Sequence, residues 1–521
     1  MKKRNVSYGK LVYGKEEINA VTNLLKKGTQ LGKNTYQFEK KIAKLFNKNY
    51  GLMVNSGSSA LILAFSTLNY PKGSNFITPV LNFGTAISSL LLTGYKPNFV
   101  DVDIHSLQID LTQIEKSINS KTVGILVPNL IGNIPNLNLI SKIAKKNNLI
   151  LIEDSADTLG GKFNNHSSGY YSDISITSFY GSHVISCAGN GGMVCFNSKK
   201  QYTDALILRS WGRDSSIFDH NQSEKTENRF NYKLDNIDYD KKFIFSKLGY
   251  NFEPSEIGSV FGLQQLKKLN KNIKRRIQNY NAHKNFFSSL PDLFDVPYQD
   301  PKTFTGWLAY PVMIKSKNIK RKNLMTFLEN NGIQTRVVFT GNILRQPGFK
   351  KIDCISGNNL HSINLIGFGF DAFVAKEFSK EKNRGLVKYI YLTFKFLLNY
   401  KPKYFTIRFE NELKKIKVFS LNICNGKQFG NNFLISPKSE IDDGNLRISI
   451  IKAFKWYQFI YLFLIFIFKK IHKSKFFKSY KTKKVFIESE SKNLIHVDGE
   501  SQIIKKSIEI YIKPKSINFI V

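Results

Sequence analysis

The residues of this chain that could do chemistry gather in two short stretches. His183 follows Ser178 by five residues and leads into a glycine-rich run, Cys187-Ala-Gly-Asn-Gly-Gly192. A neutral imidazole is a sound general base near pH 7. A lone histidine is also a common structural residue. About one βαβ unit earlier, Asp154 closes the apolar run Leu149-Ile-Leu-Ile-Glu-Asp. Ligands of parallel sheets lie beyond the carboxyl ends of the strands, where Asp154 would stand. A helix N-cap is its other use. Asp157 is three residues on and could flank the same ligand, whereas Asp173 reads as structural. Gly57-Ser58-Ser59 interrupts a strand-like run and opens a helix-like one. The first amides of such a helix point outward and suit a phosphate. An ordinary N-cap by Ser58 or Ser59 is the alternative. Phe83 lies in the exit loop of the next strand and, taken alone, reads as core.

These residues need elements to hold them. Helical apolar spacing predicts a helix after Gly14 and a second over about 34–46. Strand-like runs follow at Gly51, Phe76, Asn98, Val123 and Leu149, with a helix over about 137–146. Strands alternating with helices predict an α/β fold with a mostly parallel sheet covered on both faces. Further on, Gly306-Trp-Leu-Ala-Tyr-Pro-Val-Met-Ile reads as a strand and Lys320 to Asn330 as a helix. The stretch from Ile333 to Phe349 reads as a strand and loop. Arg336 and Arg345 within it could meet phosphates or equally be surface charges. Alternating runs such as Lys484-Val-Phe-Ile-Glu and Ile508-Glu-Ile-Tyr-Ile predict strands in a β-rich end.

At 521 residues, with 42% hydrophobic content, the chain is long enough for two or more packed domains. The net charge of +38 is spread along it. Solvated lysine faces explain this better than nucleic-acid binding, because no nucleic-acid motif accompanies the charge. None of the four cysteines forms a C-x-x-C pair, so neither a metal site nor a disulfide framework is expected. Met1-Lys-Lys-Arg-Asn-Val-Ser-Tyr contains no apolar h-region, and the cytoplasm is the expected compartment.

The loop from Ser178 to Gly192 resembles the pyridoxal-phosphate site of the sugar aminotransferases of fold type I. A lysine stands in that family where this chain has His183, and histidine cannot form the covalent link to the cofactor. The loop is otherwise intact. It resembles the nucleotide-sugar 3-dehydratase branch, of the GDP-4-keto-6-deoxymannose type. Leu208-Arg-Ser-Trp-Gly-Arg-Asp-Ser-Ser resembles that branch too, and no cysteine lies between Asp214 and Tyr250, so no iron–sulfur cluster is expected. The resemblance implies that Gly57, Ser58, Ser59 and Ser178 hold the cofactor phosphate. Phe83 would stack on its ring, and Asp154, flanked by Asp157, would pair with the pyridine nitrogen. Asn251 would reach the cofactor phosphate of a partner subunit in a homodimer. The implied activity is 3-dehydration of a nucleotide-linked 4-keto-6-deoxy sugar by pyridoxamine phosphate, with His183 taking the proton from the cofactor's C4′ carbon. Glutamate would recharge the cofactor, in an O-antigen or lipopolysaccharide type of pathway. A nucleotide-sugar aminotransferase is the near rival.

From about His361 the chain resembles the C-terminal domain of the diacylglycerol and sphingosine lipid kinases. The landmarks are Ile363-Asn-Leu-Ile-Gly-Phe-Gly-Phe-Asp, Leu421-Asn-Ile-Cys-Asn-Gly-Lys-Gln-Phe-Gly-Asn-Asn, Ile435-Ser-Pro, Asp442-Asp-Gly-Asn-Leu and His496-Val-Asp-Gly-Glu. Asp498 and Glu500 would be its site residues. That family's glycine-rich nucleotide loop is not found, so kinase activity is not expected. Trp456 to Phe468 is nearly all apolar, too short at about 13 residues to span a bilayer. Its basic flank, Lys469, Lys470, Lys473 and Lys475, suggests peripheral membrane contact, with a buried core element as the alternative. The expected division is thus a large cofactor-binding domain (1–270), a partial small α/β domain (271–358) and a β-rich lipid-kinase-like domain (361–521). A lipid-binding protein, or a non-functional fusion of two genes, is the rival from another class.

Overall fold

The computed structural model describes residues 5–9, 12–217, 229–230, 232–349, 351–357, 360–379, 386–397, 399–410, 412–428, 434–468 and 470–518. Met1 to Arg4, part of the cysteine-free stretch after Asp214, Asn358 and Asn359, Phe429 to Asn432 and Lys469 lie outside them. The chain divides into two compact units, Met1–Ile343 and Leu344–Val521.

The first unit is built on a seven-stranded sheet. Its strands are β1 (Tyr50–Val54), β2 (Asn75–Pro79), β3 (Lys96–Val100), β4 (Thr122–Pro128), β5 (Ile150–Asp154), β6 (Ile174–Ser178) and β7 (Gly192–Phe196). They lie in the order β1-β7-β6-β5-β4-β2-β3, and all neighbours are parallel except those of β7. The strands are apolar at nearly every position because both faces are covered. Leu126, Ile152, Ile176 and Val194 point into a core with Ala60, Leu63 and Phe65. Their neighbours Ile125, Val127 and Leu151 point the other way, onto Ile134, Leu137 and Ile140. That alternation is the strand period of two.

Helices α1 (Lys15–Leu25) and α2 (Lys33–Leu45) come first, near the expected places. α3 (Gly57–Ser66) and α4 (Gly84–Leu92) begin at the carboxyl ends of β1 and β2. α5 (Leu137–Lys146), α6 (Lys199–Arg209), α7 (Glu256–Lys267), α8 (Leu269–Ser288) and α9 (Arg321–Asn330) follow. The Glu256 carboxylate of α7 caps α2 by accepting from the amides of Gly32 and Asn34 at 3.0 and 2.9 Å. The expected strand over 306–314 is reduced to Met313–Ile314. Trp307 stands at φ +30°, outside strand geometry, with its ring buried and stacked on Tyr280 at 4.5 Å. The run from Ile333 also forms no ladder; Ile333 makes a single parallel bridge with Val6.

The second unit contains one eleven-stranded antiparallel sheet. Its strands are β8 (Lys351–Gly357), β9 (Leu360–Ser362), β10 (Leu365–Gly369), β11 (Lys403–Phe409), β12 (Glu412–Cys424), β13 (Leu446–Lys452), β14 (Phe477–Thr482), β15 (Lys484–Glu488), β16 (Asn493–Val497), β17 (Glu500–Ile504) and β18 (Ser507–Asn518). Among the described residues, three helices accompany it: α10 (Phe370–Ser379), α11 (Leu386–Leu397) and α12 (Phe459–Ile467). Alternate residues Phe405, Ile407 and Phe409, with Val485, Ile487, Ile508 and Ile510, form its core. The sheet takes in residues before His361, because β8 pairs with β18. Asp353 on β8 is buried, and its carboxylate accepts from the amides of Lys515 and Gly444, both at 2.6 Å.

Candidate active site

The carboxyl ends of β5 and β6 and the start of α3 bring the sequence-predicted residues of the first unit together. A Cβ added to Gly57 would lie 2.8 Å from the Cβ of Ser178, and one added to Gly192 would lie 2.3 Å from the backbone of Ser56. Neither position has room for a side chain. The helix cap is Ser56, whose hydroxyl accepts from the Ser59 amide at 3.1 Å. The expected alternative, a cap by Ser58 or Ser59, gives way to this arrangement. Ser58 instead donates to Thr85 on α4 at 2.9 Å, and Ser59 to Asn55 at 2.6 Å. The Gly57 and Ser58 amides at the first turn and the Ser178 hydroxyl thus converge as an anion cradle. Phe83 is 52% exposed rather than core, and meets Phe339 edge-on at 6.0 Å.

Asp154 ends β5, buried, and accepts from the Ala156 amide at 3.1 Å. No helix follows it, so it caps none. Burial raises its carboxyl to about 6, and the neighbouring Glu153 adds to the rise. Glu153 points to the opposite side of the strand, where Asn129 and Ser175 donate to it at 2.8 and 3.0 Å. Asp157 is buried too; burial and the charge of Asp154 lift it to about 7. Its Oδ2 accepts from the Ile131 amide at 2.9 Å, and its Oδ1 lies 3.8 Å from His183 Nε2. Burial pushes His183 down to about 4. The imidazole is therefore neutral at physiological pH. His183 Nδ1 is buried with no hydrogen-bond partner among the described residues. A buried polar ring nitrogen left so is costly unless a ligand meets it.

The side chain of Asn251 is exposed, and its carbonyl accepts from Asn55 at 3.5 Å, beside the entrance to α3. Arg336 is exposed, with its guanidinium 5.6 Å over the ring of Tyr8. Arg345 is exposed and belongs to the second unit. So do Asp498 and Glu500. Asp498 accepts from the amides of Ile363, Asn364 and Leu365 at 3.0, 3.1 and 2.9 Å, which makes it a brace for that turn. Glu500 is exposed on the following hairpin.

Two features escaped the sequence. The N-terminal segment crosses the site: Val6 pairs with Gly332 and Gln334, and Gly9 packs against Ser182, beside His183. Arg276 on α8 donates to the His183 carbonyl at 3.3 Å. It lay hidden in the basic run Lys274-Arg-Arg276. A signal was present, since Leu269, Ile273, Arg276 and Tyr280 share one helical stripe, and the other three are buried. Among the described residues, no group of three or more His, Cys, Asp or Glu could hold a metal ion.

Comparison with known proteins gives the following. The model of the DegT/DnrJ/EryC1/StrS aminotransferase family matches residues 12–362. That of the YegS C-terminal NAD kinase beta sandwich-like domain matches residues 364–521. The chain is 32% identical over 355 residues to the lipopolysaccharide biosynthesis protein RfbH of Salmonella typhimurium, covering 66% of this chain and 81% of that one. It is 31% identical over 346 residues to the GDP-4-keto-6-deoxy-D-mannose 3-dehydratase of Yersinia pseudotuberculosis, covering 64% and 84%. A solved structure of the Escherichia coli GDP-4-keto-6-deoxy-D-mannose-3-dehydratase, with bound hydrated PLP, superposes with a TM-score of 0.59 at 29% identity. It covers 66% of this chain and 88% of that one.

Proposed function

The chain belongs to the DegT/DnrJ/EryC1/StrS aminotransferase family, and on that footing we propose that it is a nucleotide-sugar 3-dehydratase using pyridoxal and pyridoxamine phosphate. The observation that carries the reading is the identity of residue 183: an imidazole, not an amine, occupies the loop of an otherwise complete cofactor site.

The residues present fit the cofactor. The Gly57–Ser178 cradle admits no Cβ and suits a phosphate; Asp154 accepts one hydrogen bond and keeps lone pairs for a pyridine N–H; the Phe83 ring stands open for stacking. When bound, pyridoxamine phosphate supplies an amine for the 4-keto group of the sugar and a ring that draws electrons. The chain does the rest. Asp154, deprotonated toward a pyridinium, holds that positive charge. The Nε2–H tautomer of His183, directed at Asp157, leaves the Nδ1 lone pair free to take a proton. Gly9 and Ser182 close one side of the loop. Glutamate would recharge the cofactor, and the protein would work as a cytoplasmic homodimer to which the exposed Asn251 contributes.

Product analysis tests this. The parent should release a 3-deoxy-4-keto sugar, and His183→Asn should slow that release at least ~100-fold. An aminated sugar carrying nitrogen from glutamate would replace this reading by that of an aminotransferase.

Peripheral contact of the second unit with an anionic membrane is the remaining part of the proposal. Tyr461, Leu464 and Phe468 are exposed on and just after α12, and the exposed Lys470, Lys473 and Lys475 follow. An apolar face with a basic rim suits an interfacial seat. No helix of the described residues is long and apolar enough to cross a membrane.

A further inference from the structure

Arg276 holds three segments of the first unit. Its Nη2 donates to the His183 carbonyl at 3.3 Å, and its Nη1 to the carbonyls of Trp307 and Leu308 at 3.3 and 3.1 Å. The Leu308 amide donates to the Ile131 carbonyl at 2.8 Å, and the Ile131 amide donates to Asp157 at 2.9 Å. Asp157 faces His183 Nε2 at 3.8 Å. The path from the base to its carboxylate therefore closes on itself through one guanidinium. The fork geometry matters, because two separate guanidinium nitrogens each reach one segment in a fixed direction, whereas an ammonium would have to reach both from a single atom. The crossing at 307–308 leaves little slack. A Cβ on Gly132 would lie 2.4 Å from the Leu308 amide, and Trp307 is held at positive φ.

We propose that Arg276 is the positioning residue of His183, fixing the imidazole against Asp157 through this closed circuit and keeping a positive charge behind it. The proposal rests on His183 being the base of the dehydration. The groups facing His183 among the described residues are Asp157 at 3.8 Å, the Tyr180 ring at 6.0 Å, the Ser178 backbone, which favours the charged imidazole, and Arg276 itself. Tyr8 and Arg336 stand beyond Asp157, where Tyr8 feels the carboxylate and the guanidinium alike. Among these, Arg276 disfavours the protonated imidazole, in the same direction as burial. Removing its charge raises the pH at which His183 titrates.

The test compares Arg276→Gln, Arg276→Lys and the exposed neighbour Lys274→Gln in the full chain loaded with pyridoxal phosphate. Cofactor absorption and melting temperature are recorded for each. The His183 ring-proton titration is followed by NMR and assigned with His183→Asn. Arg276→Gln should lower kcat about 10- to 100-fold with KM nearly unchanged, and move the His183 midpoint up. Arg276→Lys should keep the midpoint near that of the parent but lose at least severalfold in kcat. Lys274→Gln should match the parent. A parental midpoint and parental kcat in Arg276→Gln overturns the proposal, as does a kcat loss that saturating cofactor restores. If the Gln variant does not fold, a parental kcat in Arg276→Lys overturns it. Should the parent itself not dehydrate a nucleotide sugar, the functional reading fails, and the NMR midpoint still decides what Arg276 does to His183.

Discussion

Asp154 and Asp157 keep carboxyls out of water in the cofactor-free chain, and this leaves a pH signature. Their folded values, about 6 and about 7, lie above the ordinary 3.8. The stability each gives is full below pH 3.8 and fades as pH rises through the folded value. For Asp154 the displacement of about two units corresponds to ~3 kcal/mol. Asp154→Asn should therefore raise the melting temperature of the cofactor-free chain at pH 8, leave it unchanged near pH 4, and abolish tight cofactor binding. A melting curve equal to the parent's at pH 8 would contradict this. His183 runs the other way. Its folded value of about 4 lies below the ordinary 6.5, so its contribution is present above pH 6.5 and is lost as pH falls toward 4. The meeting of Gly57, Ser178, Asp154, Asp157 and His183 at one end of the sheet was legible in the sequence because each lies in a short contiguous motif at a strand end. Arg276 and Tyr8 were not, because they reach the site from α8 and from the N-terminal segment, and only folding brings them there. Phe83 reads as core by residue type; it is exposed because it caps α4 at the site's rim.

The start of α3 is where an element and the site coincide. The Gly57 amide serves the cradle, and its missing side chain lets β6 approach. Gly57→Ala sets a Cβ 2.8 Å from that of Ser178, so the helix must shift. Such overpacking costs about 1–3 kcal/mol, which if lost from cofactor affinity is about 5- to 150-fold. Titration of the cofactor's absorption band measures it, and unchanged affinity would show that the close approach of α3 to Ser178 does not matter for binding. The strands of the first sheet were readable because burial on both faces writes unbroken apolar runs. The stretch 306–314 is apolar for another reason. Trp307 and Tyr310 there belong to an aromatic stack with Tyr280, and the backbone bends to place them. Apolar content alone does not separate these two uses.

Each unit has its own core, one around Phe65, Phe76 and Ile152 and another around Ile407, Ile448 and Ile510. Calorimetry should accordingly resolve two transitions, with cofactor raising only that of the first unit. A single transition raised as a whole would mean the units unfold together. Vesicles containing phosphatidylserine should carry the chain upward in flotation, less so with Lys470, Lys473 and Lys475 changed to Ser, and less at high salt; equal flotation by neutral vesicles would remove the electrostatic part of that contact. The pairing of β8 with β18 bears on how the protein is made. A ribosome delivers β18 about 150 residues after β8, which at typical elongation speeds is roughly 10–30 s. The first unit closes earlier, once residues 332–334 emerge to meet Val6. Through that interval β8 has only the short β9 beside it, and its far edge stays open to any passing strand. Nascent chains stalled in that window should carry a finished first unit and an unzipped second sheet, which makes β18 the closing seam of the second unit.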